Sequence, residues 1–200
     1  MERIITIGRE YGSGGREIGR RLAEKLQFAF FDYQIVTELA KRTAFAEEYI
    51  LSIQEKRPYP VLPVPTVRMW APPNPMLDQH LEVFLKESEV IRDMADKAPC
   101  VIVGRSADYI LRERKDVMNV FIHADLAFRA DRIVRLYGES EKSPEQRLRD
   151  KDKKRAVNYK HFTGQEWGMS QNYHLSLDSG AIGIDECVRI LAEVSGMKKK

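Results

Sequence analysis

Residues 4–18 decide the fold of this chain: Ile4-Ile5-Thr6-Ile7-Gly8-Arg9-Glu10-Tyr11-Gly12-Ser13-Gly14-Gly15-Arg16-Glu17-Ile18. A short apolar, β-branched run gives way to glycines, and helical spacing then resumes at Ile18, Leu22 and Leu26. This pattern predicts a buried strand, a tight loop and a helix. Glycines let the loop backbone approach an anion, and the N–H groups of the following helix's first turn point toward it. The stretch therefore predicts a phosphate-binding loop.

The loop is close to the Walker A pattern G-x-x-x-x-G-K-[ST], but it departs from that pattern where charge and metal chemistry are placed. Gly15 stands at the lysine position and Arg16 at the hydroxyl position, while Gly8 lies one residue too far upstream. The backbone amides could still hold phosphates, with Arg9 or Arg16 supplying the positive charge. The alternative is a strand-to-helix turn whose glycines serve only packing.

A dinucleotide-binding fingerprint is a rival interpretation of the same residues. Gly12-Ser13-Gly14 follows a strand, and Asp32 ends a second strand about twenty residues later. The third glycine of that fingerprint is replaced by Glu17. A carboxylate would then stand where the pyrophosphate belongs, which disfavours this interpretation.

Length and composition suit one compact domain, since 43% of the 200 residues are hydrophobic and 32% are charged. No apolar run is long enough to span a membrane, and Met1 leads directly into the first strand without a signal peptide. We therefore expect a cytoplasmic protein without a membrane partner. A net charge of +3 is too small to argue for a nucleic-acid partner. The oligomeric state is not readable, so a homo-oligomer stays open.

The cysteines and histidines predict no metal site. Cys100 and Cys187 fall at a strand start and on the apolar side of a helix, as small core residues do. The four histidines have no metal-ligand spacing.

The first half of the chain continues as a β-α-β unit and a long excursion. Residues 28–32 predict a second strand that ends at Asp32, near the phosphate loop or at a helix N-cap. Residues 33–53 carry helical periodicity. Residues 57–75 then hold seven of the nine prolines, which excludes helix and regular sheet. A helix over 76–97 follows.

The second half supplies two buried strands, at 100–106 and 117–124, and two charged helices. Arg105 follows the first of these strands, at the same sheet edge as the phosphate loop. Arg129 and Arg132 lie on a helix that Asp125 caps. Asp152 and Arg155 share one face of a later helix, which begins at Ser143. A last strand at 174–179 and an amphipathic helix end the domain.

Several signatures coincide in order and spacing: Ile7-Gly8-Arg9-Glu10-Tyr11-Gly12-Ser13-Gly14-Gly15, Phe31-Asp32, Val101-Ile102-Val103-Gly104-Arg105, Asp152-Lys153-Lys154-Arg155-Ala156 and Leu177-Asp178-Ser179. In this set the chain resembles the cytidylate-kinase-like family, a branch of the P-loop nucleoside-monophosphate kinases. The resemblance covers nearly the whole chain and is weakest from Gln54 to Pro75.

The resemblance implies an α/β, three-layer P-loop NTPase-type fold with a parallel sheet of about five strands, helices on both faces and a helical lid. Residues 1–200 would form one kinase-like domain. Residues 33–98 would be the monophosphate-binding segment, with the proline-rich excursion at 57–75, and residues 138–168 would be the lid.

The resemblance also assigns roles by position. The phosphate and nucleotide residues would be drawn from the loop and its flanks: Arg9, Gly12, Ser13, Gly14, Gly15, Arg16 and Glu17. Asp32 and Arg105 would bind the acceptor, although Ser106 replaces the aspartate of cytidylate kinase proper. The catalytic group would comprise Arg16, Arg129, Arg132, Asp152 and Arg155. ATP is the implied donor and Mg²⁺ its companion ion, for which no protein ligand is assigned.

The leading hypothesis is an ATP-dependent kinase of a nucleoside monophosphate. The alternative is a nucleotide-binding or sensing protein of weak or absent activity, favoured by Gly15 and Arg16. We also expect Arg105 and Arg155 to converge on a bound phosphate. Replacing either by alanine would then leave the stability of the unliganded protein almost unchanged.

Overall fold

The computed structural model describes residues 3–55, 75–140 and 142–196. The proline-rich excursion lies outside these residues except for Pro75. A five-stranded parallel sheet forms the centre of the molecule, with the strand order β2-β3-β1-β4-β5. The strands are β1 (Ile4–Arg9), β2 (Ala29–Phe31), β3 (Cys100–Val103), β4 (Val117–His123) and β5 (Leu175–Asp178). The predicted α/β architecture with about five parallel strands is therefore confirmed.

Helices cover both faces of the sheet. They are α1 (Gly15–Leu26), α2 (Gln34–Arg42), α3 (Glu47–Glu55), α4 (Pro75–Lys97), α5 (Ala107–Ile110), α6 (Leu126–Tyr137), α7 (Pro144–Thr163), α8 (Ser179–Ile182) and α9 (Ile184–Gly196). The caps predicted for α6 and α7 are present, since Asp125 accepts a hydrogen bond from the N–H of Phe128 and Ser143 accepts one from that of Gln146.

The helical periodicity over 33–53 is divided between α2 and α3. The break falls at Thr43, whose backbone is extended and whose hydroxyl donates to the carbonyl of Leu39. The Thr43 oxygen also accepts from the N–H of Phe45. A side chain that bonds the main chain in this way offers an alternative to the helical ladder, and so it ends the helix.

Alternate residues of the central strands face opposite layers of the core. Ile4 packs with α2, α4 and α5, whereas Ile5 and Ile7 pack with α1 and α9. All three are fully buried, and burying one such side chain contributes about 1.5–3 kcal/mol. The central strands are thus fixed from both sides, as expected for parallel strands without alternation of polar residues.

The parallel register brings the carboxyl ends of the strands to one edge of the sheet. Ile7 pairs with Val103, and Phe31 pairs with Ile102. The residues that follow these strands, Asp32 and Gly104, therefore lie beside the end of β1. In such sheets ligands bind at this edge.

Within residues 3–55, 75–140 and 142–196, no helix is both long and apolar enough to cross a membrane.

Candidate active site

The phosphate loop, residues 8–15, turns the chain from β1 into α1. Gly12 and Gly14 take left-handed backbone angles, with φ of 84° and 80°. The N-cap residue of α1 is Gly14, which has no side chain that could accept a hydrogen bond from the helix. The first-turn N–H groups of α1 are therefore free of a side-chain cap, which is the arrangement that binds anions.

Ser13 faces the protein rather than the open side of the loop. It is fully buried, and its hydroxyl lies 2.9 Å from the carbonyl oxygen of Glu10 and 3.1 Å from that of Ile122. These contacts fasten the loop to the end of β4. The backbone of Ser13 is bonded as well, since its N–H donates to the carbonyl oxygen of Glu10 and its own carbonyl accepts from the hydroxyl of Ser179. Ser13 thus shapes the loop and does not face a ligand.

Arg9 runs from the end of β1 between two glycines. A Cβ at Gly15 would lie 2.5 Å from Arg9 Cβ, and a Cβ at Gly104 would lie 1.7 Å from Arg9 Nη1. Desolvation and the nearby Arg155, Arg105 and Arg16 lower the pKa of Arg9 to about 9, although Asp32 opposes this shift. The guanidinium keeps its charge at neutral pH.

The three arginines whose charges act on Arg9 each have a carboxylate partner of their own. Arg16 Nε lies 2.6 Å from Asp32 Oδ2, and Arg105 Nη1 lies 2.6 Å from Glu87 Oε1. Arg105 Nε also donates to the carbonyl oxygen of Asp32 at 3.2 Å. Arg155 Nη1 donates to the carbonyl oxygen of Arg9 at 3.0 Å. Its carboxylate partner is Asp152, at 3.8 Å.

A cavity of about 450 Å³ lies over the phosphate loop and is called the loop cavity below. It is lined by Arg9, Glu10, Tyr11, Gly12, Gly14, Gly15, Arg16, Glu17, Arg20, Phe30, Arg132, Ile133, Leu136, Tyr137 and Arg155. Most of the predicted phosphate residues thus meet in one place, together with two arginines from α6 and α7.

A second cavity, of about 250 Å³, lies beyond the ends of β2 and β3 and is called the aromatic cavity. Asp32 and Arg105 line it, together with Gly8, Arg9, Ile53, His80, Val83, Phe84, Glu87, Val103, Gly104, Ser106, Asp108, Arg155, Asn158, Tyr159, Phe162, Trp167 and Tyr173. Arg9 and Arg155 line both cavities. The predicted acceptor residues and the predicted phosphate residues therefore meet at these two side chains.

The walls of the aromatic cavity combine ring faces with buried polar groups. Phe84 of α4 and Phe162 of α7 stack with their ring centroids 4.3 Å apart. The hydroxyl of Tyr159 donates to Asp108 Oδ2 at 2.6 Å. Burial raises the pKa of Asp108 and also those of Tyr159 and Tyr173. Such a cavity can pack a planar ligand and donate to or accept from its edge.

The remaining predicted catalytic residues hold the loop in place. Arg129 is buried, and its Nη1 lies 2.6 Å from Asp152 Oδ2 while its Nε lies 3.4 Å from Glu10 Oε2. Arg132 pairs with Glu17, and both line the loop cavity. Neither Arg129 nor Asp152 lines either cavity. The contacts of Arg129 and Asp152 join α6 and α7 to the loop, and Arg132 joins α6 to the first turn of α1.

The aromatic walls and Glu87 were not predicted from the sequence. For Glu87 the sequence contains one weak signal, which is an acidic residue on the helical face that also carries Phe84 and Ile91. Its partner, Arg105, belongs to a different element, so the pair emerges only when α4 packs against the end of β3.

The residues that the structure describes at this site do not make a protein site for Mg²⁺. Arg16 occupies the position of the usual hydroxyl ligand, and the hydroxyl of Ser13 faces main-chain carbonyls. Among the described residues, no group of three or more His, Cys, Asp or Glu side chains is arranged to hold a metal ion.

Comparison with known proteins relates most of the chain to a kinase-like family. A model of the "Cytidylate kinase-like family" matches residues 4–181. A curated relative described as cytidylate kinase, from Methanopyrus kandleri, is 23% identical over 197 residues, which cover 94% of this chain and 90% of the relative.

Solved structures show the same fold. An uncharacterized protein from Eubacterium ventriosum superposes with a TM-score of 0.73 and 24% identity, covering 98% of this chain and 99% of the other. Shikimate kinase from Acinetobacter baumannii, in complex with shikimate, gives 0.55 and 19%, covering 100% of this chain and 96% of the other. At these identities the likeness is one of architecture, that of the P-loop kinases.

Proposed function

Because the chain belongs to the cytidylate kinase-like family, we propose that it transfers a phosphoryl group from ATP to a nucleoside monophosphate. The observation that carries the proposal is the sharing of Arg9 and Arg155 by two cavities. A donor in one cavity and an acceptor in the other would meet at these two guanidiniums. The two guanidiniums would neutralise negative charge on the transferred phosphoryl group.

The loop cavity suits the donor. The first-turn N–H groups of α1 would bind its phosphates, with Arg16 and Arg132 beside them. The aromatic cavity suits the acceptor, whose base would pack against aromatic walls while Arg105 binds its phosphate. Alignment of two bound reactants lowers the barrier without any new covalent partner from the protein.

In the transfer, a phosphate oxygen of the acceptor attacks the γ-phosphorus of ATP. The bond from that phosphorus to the bridging oxygen breaks, and ADP leaves with the electron pair. The protein mainly neutralises charge on the moving group, and we assign this role to Arg9 and Arg155 because they line both cavities. Asp152 and Arg129 would position these residues through the loop. The substrates are cytoplasmic metabolites, so a cytoplasmic location is part of the proposal.

A coupled assay of ADP release tests the proposal. The protein is supplied with ATP and, in turn, with each common nucleoside monophosphate. We expect at least one acceptor to stimulate ADP release far above the rate with ATP alone. Arg155→Met removes one boundary guanidinium and is expected to lower that rate at least about 100-fold.

Arg189→Met is the matched control, because Arg189 is half-exposed on α9 and, among the described residues, pairs with Glu186 and Glu193 alone. It is expected to keep the full rate. Absence of stimulation by every acceptor, in a protein that binds ATP, would contradict the kinase proposal.

A second candidate is nucleotide binding without efficient transfer, favoured by Gly15 and Arg16 at the two sensitive loop positions. Thermal shift separates the two candidates, since a ligand that binds only the folded state raises its apparent stability. A binder without transfer would be stabilised by ATP, yet show no acceptor-dependent ADP release.

A further inference from the structure

The cation of the phosphate loop stands at an unusual position. When the loop is laid on G-x-x-x-x-G-K-[ST], Arg9 occupies the first glycine position and Gly15 the lysine position. The loop thus has the form R-x-x-x-x-G-G. The cation therefore stands where the pattern has its first glycine, and a glycine stands where the pattern has its cation.

The contacts explain why both changes occur together. A Cβ at Gly15 would lie 2.5 Å from Arg9 Cβ and 2.9 Å from Arg9 Cγ. Real Cβ atoms do not approach other atoms so closely, and a lysine at position 15 would therefore displace the stem of Arg9. Conversely, the stem of Arg9 fills the space that the absence of a side chain at Gly15 leaves open.

The far end of the Arg9 side chain lies close to a second glycine, Gly104. Its Nη1 and Cζ would lie 1.7 and 2.8 Å from a Cβ at Gly104. The guanidinium therefore lies against the bare backbone that follows β3, where the loop cavity and the aromatic cavity meet. A guanidinium here can donate to phosphate oxygens from either side.

The charges around Arg9 leave room for an anion. Across the described part of the chain, no carboxylate lies within 4.0 Å of its guanidinium, whereas Arg16, Arg105 and Arg155 each have one. Arg16, the other candidate for the missing charge, is 67% exposed and already paired with Asp32. Repulsion among the neighbouring guanidiniums would be relieved by a bound phosphate.

We infer that Arg9 replaces the phosphate-loop lysine and contacts the phosphoryl group that passes between the two cavities. This inference rests on the proposed function and names the residue that supplies its missing charge. It also explains why glycine stands at both position 15 and position 104, because a side chain at either position would collide with Arg9.

The inference is tested by restoring glycine at position 9 and lysine at position 15, separately and together. The variants are Arg9→Met, Arg9→Gly, Gly15→Lys and the double variant Arg9→Gly/Gly15→Lys, with Arg189→Met as the control. Calorimetry measures the binding of inorganic tripolyphosphate and of ATP at one fixed ionic strength. The coupled assay measures ADP release, and thermal unfolding without ligand checks that each variant is folded.

We expect Arg9→Met and Arg9→Gly to weaken tripolyphosphate binding about 10- to 100-fold, the loss typical of a hydrogen bond to a charged group. Gly15→Lys alone is expected to weaken binding too, because its side chain collides with Arg9. The double variant is expected to bind at least about 10-fold more tightly than Arg9→Gly, and Arg189→Met as tightly as the unmodified protein. If Arg9→Met does not fold, Arg9→Gln takes its place.

Arg9→Met that binds tripolyphosphate as tightly as the unmodified protein would overturn the inference. So would a double variant no better than Arg9→Gly. These outcomes leave the proposed function intact, since the unmodified protein would still bind ATP and release ADP. Failure of the unmodified protein to bind either probe would instead remove the proposed function and the inference together.

Discussion

Asp152 accepts a hydrogen bond from the backbone N–H of Tyr11, with 2.7 Å between the nitrogen and Oδ1. Its second oxygen lies 2.6 Å from Arg129 Nη1. One carboxylate of α7 thereby ties α6 to the phosphate loop, which lies 141 positions earlier in the sequence than Asp152. The two side chains of this junction, Asp152 and Arg129, line neither cavity.

Asp152→Asn is expected to loosen this junction. The amide loses the charge of the bond to Arg129, and a lost hydrogen bond to a charged group costs about 1.5–3 kcal/mol. The free energy of unfolding in urea is expected to fall by that amount and kcat/KM by about 10-fold or more. Asp131→Asn is the control, since Asp131 is exposed and its salt bridge is to Arg135, which is exposed too. Equal stabilities of the two variants would contradict the prediction.

Arg105 has a structural partner that its sequence position did not reveal. Arg105 and Glu87 are 13% and 7% exposed, and removing one member of a buried pair costs about 3–5 kcal/mol. We therefore expect Arg105→Met to destabilise the unliganded protein by about that much. This revises the expectation that replacing Arg105 by alanine would leave its stability almost unchanged.

A double-mutant cycle in urea measures the Arg105–Glu87 coupling. Arg105→Met/Glu87→Gln is expected to lose less stability than the sum of the two single losses, because no buried carboxylate remains. Lys86→Met, which breaks an exposed pair with Glu89 on the same helix, is expected to change stability by less than about 1 kcal/mol. Additive losses in the cycle would show that the two residues are not coupled.

Gly104→Ala separates backbone strain from the displacement of Arg9. Gly104 has a φ of 78°, and its Cβ would meet Arg9 Nη1. Gly164→Ala is the matched control, with a φ of 73° and nothing within 4 Å of its Cβ. Both variants bear the cost of a left-handed alanine, about 1–2 kcal/mol. Only Gly104→Ala is expected to lose activity, by about 10-fold or more, in the assay of ADP release.

Asp108 predicts a dependence of stability on pH. Burial raises its pKa above the ordinary value of 3.8, so the folded protein holds a proton that the unfolded chain releases. Its stabilising contribution is complete below pH 3.8 and is lost as the pH rises through the raised pKa. Relative to the unmodified protein, Asp108→Asn is therefore expected to gain stability as the pH rises above 3.8. Urea unfolding across that range measures the difference.

Asp116 provides a control of opposite sign. Arg114 lowers the pKa of Asp116 below 3.8, so its contribution is present above that pH and is lost as the pH falls through the lowered pKa. The loss of stability caused by Asp116→Asn, measured against the unmodified protein, is therefore expected to be smallest at the lowest pH. The same slope in both variants would show that these carboxyl groups do not set the pH dependence.

The strands and the phosphate loop were predictable because their signals are local. A β-branched run followed by glycines fixes β1 and the loop whatever surrounds them. The break between α2 and α3 was missed because Thr43 competes with the helix through its own hydroxyl, against an otherwise continuous periodicity. The orientation of Ser13 was likewise hidden, since it depends on the carbonyl of Ile122 in β4.

Contacts between distant elements were the least accessible to the sequence. Arg9 and Arg16 were equal candidates for the missing charge until the fold placed Gly104 beside one and Asp32 beside the other. The aromatic cavity depends on the packing of α4, α5 and α7 together, which no single motif records.

The passage of Arg9 between Gly15 and Gly104 also limits how the loop can evolve. A chain with glycine at position 9 and lysine at position 15 differs from this one at both of those positions, and mutation supplies such changes one at a time. If lysine appears at position 15 first, its side chain collides with Arg9. If Arg9 is replaced by glycine first, neither position carries a cation. Both intermediates are disfavoured, so we expect the two forms to persist as separate lineages, with Arg9, Gly15 and Gly104 inherited as a set.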